Sequence, residues 1–106
     1  MYLRKDKFTE EGIKDKFRII DLDPYGTAIP FLDSALQSVA ENGLMCVTFT
    51  DLRNLCGPEM ARCFYLYGVS RAKVLCYQES AIRCALYSIS CIANKYGRCI
   101  IPLMSY

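Results

Sequence analysis

Residues 17–51 constrain the fold most. Phe17 to Leu22 is a short run, apolar on both faces like a strand buried between helix layers, and it is followed by a carboxylate, a proline, an aromatic ring and a glycine, Asp23-Pro24-Tyr25-Gly26. From Pro30 to Glu41, Phe31 or Leu32, Ala35, Leu36, Val39 and Ala40 recur every three to four residues, which predicts a helix. Pro30 stands at its first turn, where a missing N–H is no loss, and Gly43 lies just past its end. Leu44 to Thr50 is a second apolar and β-branched run that turns polar at its end. Strand, helix and strand in that order predict a parallel, right-handed βαβ unit and an α/β fold. The chain then leaves both strands at one edge, so Tyr25 and Thr50-Asp51 are expected side by side.

Ligands of open α/β sheets bind beyond the carboxyl ends of the strands, where this chain presents Asp23, Pro24 and Tyr25. The chemistry such a set suits is methyl transfer to the exocyclic amino group of a nucleobase. The lone pair of that nitrogen is delocalised into the ring, and acceptors on its N–H groups draw it towards tetrahedral geometry. The Asp23 carboxylate and the Pro24 carbonyl are acceptors of that kind, and fixing them in place is electrostatic preorganisation. Tyr25 offers a ring for a flipped-out base to stack on. Gly26 lets the chain turn away without putting a side chain in the pocket. The same residues also describe an ordinary strand end followed by a proline turn. Asp21 shares a face with Asp23 and so can raise one carboxylate pKa, or serve only to finish the sheet. Phe31 suits the core or a pocket wall. Thr50 and Asp51 suit a substrate or a helix N-cap.

Longer stretches carry a resemblance. Asp21 to Ser34, DLDPYGTAIPFLDS, and Gly43 to Asp51, GLMCVTFTD, closely resemble the corresponding stretches of the tRNA guanine-26 dimethyltransferases, class I methyltransferases that use S-adenosylmethionine. The likeness continues more loosely through Gln78-Glu79-Ser80-Ala81-Ile82-Arg83 and Tyr96-Gly97-Arg98 to Ile101-Pro102-Leu103. It implies the C-terminal, catalytic half of a Rossmann-like methyltransferase domain, with residues 1–16 as a linker and 17–106 as the α/β core. The parent protein would methylate the exocyclic amino group of guanine 26 in tRNA. Asp23, Pro24 and Tyr25 would be catalytic, and Gly26, Phe31, Thr50, Asp51 and Arg71 would contact the substrate. Where the family commonly has Cys-His-Glu, this sequence has Tyr77-Gln78-Glu79, keeping only the acid.

The family holds S-adenosylmethionine on a glycine-rich loop and an acid that precede position 1 here. The glycines of this chain, at 12, 26, 43, 57, 68 and 97, are too dispersed for such a loop, and Asp21 is a weak cofactor candidate. The isolated chain is therefore expected neither to bind the cofactor usefully nor to catalyse. The family strand that pairs with the 99–106 segment comes later in the chain, so unpaired sheet edges are expected to favour self-association.

At 106 residues the chain is one domain or a piece of one, and 53% of it is hydrophobic. That is rich for a body that buries only about two thirds of its extended surface, and it fits a domain with one side covered by further chain. The net charge is only +2, and the basic residues Arg4, Lys5, Lys7, Lys14, Lys16 and Arg18 interleave with Asp6, Glu10, Glu11 and Asp15. This reads as a solvated surface, with RNA affinity drawing on basic surface elsewhere. Seven cysteines, no histidine and no C-x-x-C pair argue against a disulfide framework, a zinc site or a histidine-dependent triad. Cys46, Cys63, Cys84 and Cys91 read as small core residues in a reducing, intracellular compartment, with nucleus, cytoplasm and mitochondrion all open. No apolar run has the length of a membrane span, so no membrane is expected as a partner.

Elsewhere, Thr9-Glu10-Glu11 is expected to open a short helix. A second short helix is expected from Pro58 to about Tyr65, with Met60, Phe64 and Tyr67 at helical spacing. Arg62, Arg71 and Lys73 suit phosphate contact or plain solubility. Ala72 to Ala93 predicts the longest helix, its stripe of Leu75, Ile82, Leu86, Ile89 and Ala93 facing the sheet and Tyr77 and Tyr87 packing beside it. Cys99 to Tyr106 is a last strand candidate, confined to an edge by Pro102. Two other functional classes remain. A magnesium-dependent nucleotide hydrolase would use Ile19-Ile20-Asp21-Leu22-Asp23 as an acid-tipped strand but needs a G-x-x-x-x-G-K-[ST] loop, which this chain lacks. A non-catalytic α/β interaction module would keep the fold without the chemistry.

Overall fold

The computed structural model describes residues 8–9, 12–13, 16–70 and 75–106. It divides into two compact units, Met1–Phe49 and Thr50–Tyr106. The first opens with two short strands, β1 (Phe8–Thr9) and β2 (Gly12–Ile13), paired antiparallel with Thr9 opposite Gly12. This corrects the helix expected at Thr9, which enters a ladder instead of capping a helix; Glu10 and Glu11 lie outside the described residues.

Next come β3 (Phe17–Leu22), α1 (Ile29–Ser38) and β4 (Val39–Val47), and β3 and β4 pair in parallel. This is the expected strand–helix–strand order. Ile20 and Leu22 are buried on the side of the sheet that meets α1, together with Leu32, Ala35, Leu36 and Val39. The opposite face carries Ile19 and Asp21, in register with Leu44 and Cys46, and all of these are exposed. The expectation of a strand buried on both faces is corrected here, since among the described residues of this unit a single helix layer covers the sheet.

The helix stops earlier than its apolar period suggests. Pro30 occupies the first turn as expected, but Val39 turns to extended backbone (φ −74°, ψ 137°) and pairs with Phe17, so Val39 and Ala40 belong to a strand. The register then slips between Phe17 and Ile19, whose partners are Val39 and Leu44. Asn42 inside the slip has a left-handed φ of 57°. Gly43 follows, where a Cβ would stand 2.7 Å from Val39 Cγ2, 2.9 Å from the Ala40 carbonyl and 3.0 Å from that of Arg18. Only glycine lets the strand resume so close to its neighbour. The strand ends at Val47 and not at Thr50, and a last rung runs from the Thr48 N–H to the Leu22 carbonyl at 2.8 Å.

The second unit is helical: α2 (Leu52–Cys56), α3 (Met60–Tyr67) and α4 (Tyr77–Asn94). Its core holds Leu55, Cys63, Tyr67, Ala81, Cys84, Ala85, Ile89 and Ala93, and α4 packs on α2 and α3. The short helix expected from Pro58 is present as α3, which buries Cys63 and Tyr67 while Met60 and Phe64 are exposed. Two expectations change. The α4 stripe runs through Ala81, Cys84, Ala85, Ser88, Ile89 and Ala93, with Leu75 exposed ahead of the helix, because small residues let it sit close to its neighbours. Residues 98–106 form no strand, and Ile101, Leu103 and Met104 are exposed, as no described strand offers them a ladder. Cys63 and Cys84 are core residues, whereas Cys46 and Cys91 are exposed, and all seven thiols are free. Among the described residues no helix is long and apolar enough to cross a membrane.

Candidate functional site

The parallel ladder fixes where the chain leaves the sheet. Leu22 is paired with Val47 and accepts from Thr48, so the backbone departs at Asp23 beside Thr48. Asp23 is exposed, Pro24 is half-buried and the Tyr25 ring stands fully in solvent. Gly26 turns the chain with φ of 82°, a left-handed conformation that a side chain would strain, and a Cβ there would meet nothing within 4 Å. The turn ends at Thr27, whose Oγ1 accepts from the Ile29 N–H at 3.3 Å, and α1 begins.

An exposed carboxylate, a backbone carbonyl and a free aromatic face are thus presented from one lip. That set can accept hydrogen bonds from an amine and stack on a base. Asp21 lies one step back on the open face of β3, exposed and in register with Cys46. Phe31 is 45% exposed on the first turn of α1, so it does not belong to the core.

Thr50 and Asp51 open the second unit and line a different feature. Together with Arg53, Asn54, Glu59 and Arg62 they border a cavity of about 410 Å³. Asp51 stands at the N-cap position of α2, but its carboxylate makes no capping hydrogen bond. The Tyr67 hydroxyl donates to Asp51 Oδ1 at 2.7 Å and Oδ2 at 2.6 Å, and Asn54 Nδ2 donates to Oδ2 at 3.0 Å. Tyr67 is held in turn by buried Ser88, whose hydroxyl lies 2.7 Å from the Tyr67 carbonyl and 3.0 Å from that of Cys84. Sequence reasoning missed Tyr67 as a partner of Asp51, because a contact across 16 residues leaves no local periodicity to read.

Arg71 and Lys73 lie outside the described residues. Glu79 pairs with Arg83 one helical turn on at 2.8 Å, an exposed pair of small energetic weight. Tyr77 and Tyr87 are about half exposed rather than packed. The Tyr87 phenol is held above its usual value by its hydrogen bond to Cys91, by its electrostatic interaction with the same side chain and by desolvation.

Residues 5–106 match the family model described as N2,N2-dimethylguanosine tRNA methyltransferase. A tRNA (guanine(26)-N(2))-dimethyltransferase of Schizosaccharomyces pombe is 50% identical over 95 residues, covering 87% of this chain and 17% of the relative. One from Mus musculus is 45% identical over 98 residues, covering 92% of this chain and 15% of the relative. A mitochondrial one from Saccharomyces cerevisiae is 44% identical over 104 residues, covering 92% and 18%. The chain therefore spans less than a fifth of the length of these relatives.

Proposed function

The chain belongs to the N2,N2-dimethylguanosine tRNA methyltransferase family, and on that premise we propose that it forms the acceptor side of a tRNA guanine-26 N2-dimethyltransferase. Asp23 accepts one hydrogen of the guanine amino group, the Pro24 carbonyl accepts the second, and Tyr25 stacks on the extruded base. Gly26 keeps the pocket open, while Phe31, Thr50, Asp51 and Arg71 contact the substrate. The observation that carries this reading is the exposure of Asp23 and Tyr25 together at the carboxyl end of β3.

S-adenosylmethionine supplies an activated methyl group in such enzymes. The described residues do not fit it as a binding site: Asp21 and Cys46 face solvent across an open sheet face, with no glycine-rich backbone cradle beside them. The donor is accordingly assigned to parts of the protein outside this chain. Residues 17–106 then make up the catalytic half of a Rossmann-like sheet, residues 1–16 link it to the cofactor half, and the isolated chain is inactive. Both the acid-tipped hydrolase and the non-catalytic module are disfavoured by the family match, which runs through the Asp23-Pro24-Tyr25 lip.

The decisive experiment replaces Asp23 with alanine in the full-length protein. Methylation of tRNA should fall by about two to three orders of magnitude, the usual cost of losing one preorganised group, while tRNA affinity holds. Unchanged methylation removes Asp23 from the chemistry. Calorimetric titration of the 106-residue chain with S-adenosylmethionine should show no stoichiometric binding. Tight binding would refute the division of labour.

A further inference from the structure

The cavity of the second unit is unexplained by the lip at Asp23, and its lining is chemically mixed. Arg53 and Arg62 border it with exposed guanidiniums, and among the described residues neither side chain has a hydrogen bond or an acidic partner. Glu59 borders it too, and its carboxylate is equally unengaged among the described residues. Asp51 is the opposite case. Its carboxylate is pinned by the Tyr67 hydroxyl and by Asn54, and Tyr67 is itself 2% exposed and anchored through Ser88. A carboxylate has about four acceptor directions, and the single Tyr67 hydroxyl proton, shared between its two oxygens, and one Asn54 N–H leave acceptor capacity free. Two guanidiniums that have no ion-pair partner among the described residues thus border the same cavity as a rigid acceptor, an arrangement with a definite complement.

That complement is a ribose phosphate. Guanidinium forks suit phosphodiester oxygens, a carboxylate accepts from a ribose 2′-hydroxyl, and that hydroxyl distinguishes RNA from DNA. The volume, about 410 Å³, falls in the usual range of small-ligand sites, about 300–1,000 Å³. We propose that the cavity bordered by Asp51, Arg53 and Arg62 is an RNA-backbone subsite, in which the two arginines take a phosphodiester and Asp51 takes the adjoining 2′-hydroxyl. Tyr67 is then a positioning residue that acts through Asp51. The inference rests on the tRNA reading above for its substrate class, but its residues are separate from the lip.

The test measures binding of fluorescein-labelled oligo(rU)10 and oligo(dU)10 to the 106-residue chain by anisotropy across a salt series, with circular dichroism confirming that each variant is folded. Wild type should bind RNA more tightly than DNA. Arg53→Ala and Arg62→Ala should each weaken RNA binding roughly threefold to tenfold. The double variant should flatten the slope of log affinity against log salt by about 0.7, the value for the one single-strand phosphate that the two arginines share. Asp51→Ala, where folded, should erase the RNA preference and leave the salt slope unchanged.

No binding by the wild type, equal affinity for RNA and DNA, an unchanged slope in the double variant, or displacement by equimolar inorganic phosphate would each overturn the proposal. The two readings fail separately. Should Asp23→Ala abolish methylation while the arginine variants bind RNA like wild type, the subsite falls and the methyltransferase reading stands. Should the arginine variants behave as expected while Asp23→Ala methylates normally, the subsite stands and the lip loses its assigned role.

Discussion

The Tyr67 hydroxyl donates to both carboxylate oxygens of Asp51, at 2.7 Å to Oδ1 and 2.6 Å to Oδ2, and so joins the entry of α2 to the last turn of α3. Tyr67→Phe removes this donor without changing the ring. It should destabilise the chain by about 1–3 kcal/mol, the cost of leaving a partly buried charged acceptor short of a partner. Urea unfolding should show a lower midpoint at unchanged slope. A double-mutant cycle with Asp51→Ala should give a clear coupling energy, and strict additivity would mean that the two groups do not act as a pair.

Tyr25 makes the next prediction because it stands wholly in solvent, where stability places no demand on it. Tyr25→Phe in the full-length protein should retain most tRNA methylation, since stacking needs the ring and not the hydroxyl. Tyr25→Ala should lower kcat/KM by roughly 5- to 150-fold, matching the 1–3 kcal/mol of a base–aromatic stack. Neither variant should shift the melting temperature appreciably. An alanine variant with wild-type kcat/KM would remove the ring from the site.

Gly43→Ala tests the strand register. The added methyl group would press on Val39 Cγ2 and on the carbonyls of Ala40 and Arg18, two of which are backbone atoms that cannot rotate away. A loss of about 1–3 kcal/mol is expected, the usual scale of overpacking. Hydrogen exchange should locate the loss in β3 and β4. Stability equal to wild type would show that the slip between Phe17 and Ile19 can relax.

The open sheet face predicts association. Ile19, 65% exposed, stands in register with exposed Leu44, and the outer edges of β3 and β4 pair with no other described strand. Light scattering should find the mass of the isolated chain rising with concentration. Ile19→Lys should suppress that rise, because a charge on an exposed sheet face opposes stacking and edge addition. A concentration-independent monomer mass for the wild type would refute the expectation.

Much of the first unit was legible because its signals are local. Six residues of β3 were readable as a strand ended by a proline turn, though only Ile20 and Leu22 of them are buried, and Pro30 marked the start of α1. The end of α1 was not readable, because Val39 and Ala40 fit a helical stripe as well as they fit a strand. Pairing of Val39 with Phe17 decided the matter, and that pairing is a tertiary fact. The same limit explains the miss at residues 99–106. An apolar, β-branched stretch reads as a strand, but a strand exists only where another offers it a ladder.

By itself the sequence determined the parallel strand–helix–strand order, the Asp23-Pro24-Tyr25-Gly26 lip and the family, since each rests on residues adjacent or periodic in the chain. Only the tertiary structure decided that Asp51 turns from its own helix to Tyr67, that Arg53 and Arg62 border one cavity with it, and that one face of the sheet lies open. The physical reason is range. Propensity and periodicity act over a few residues, whereas a hydrogen bond spanning 16 positions depends on how helices pack, which no local pattern encodes.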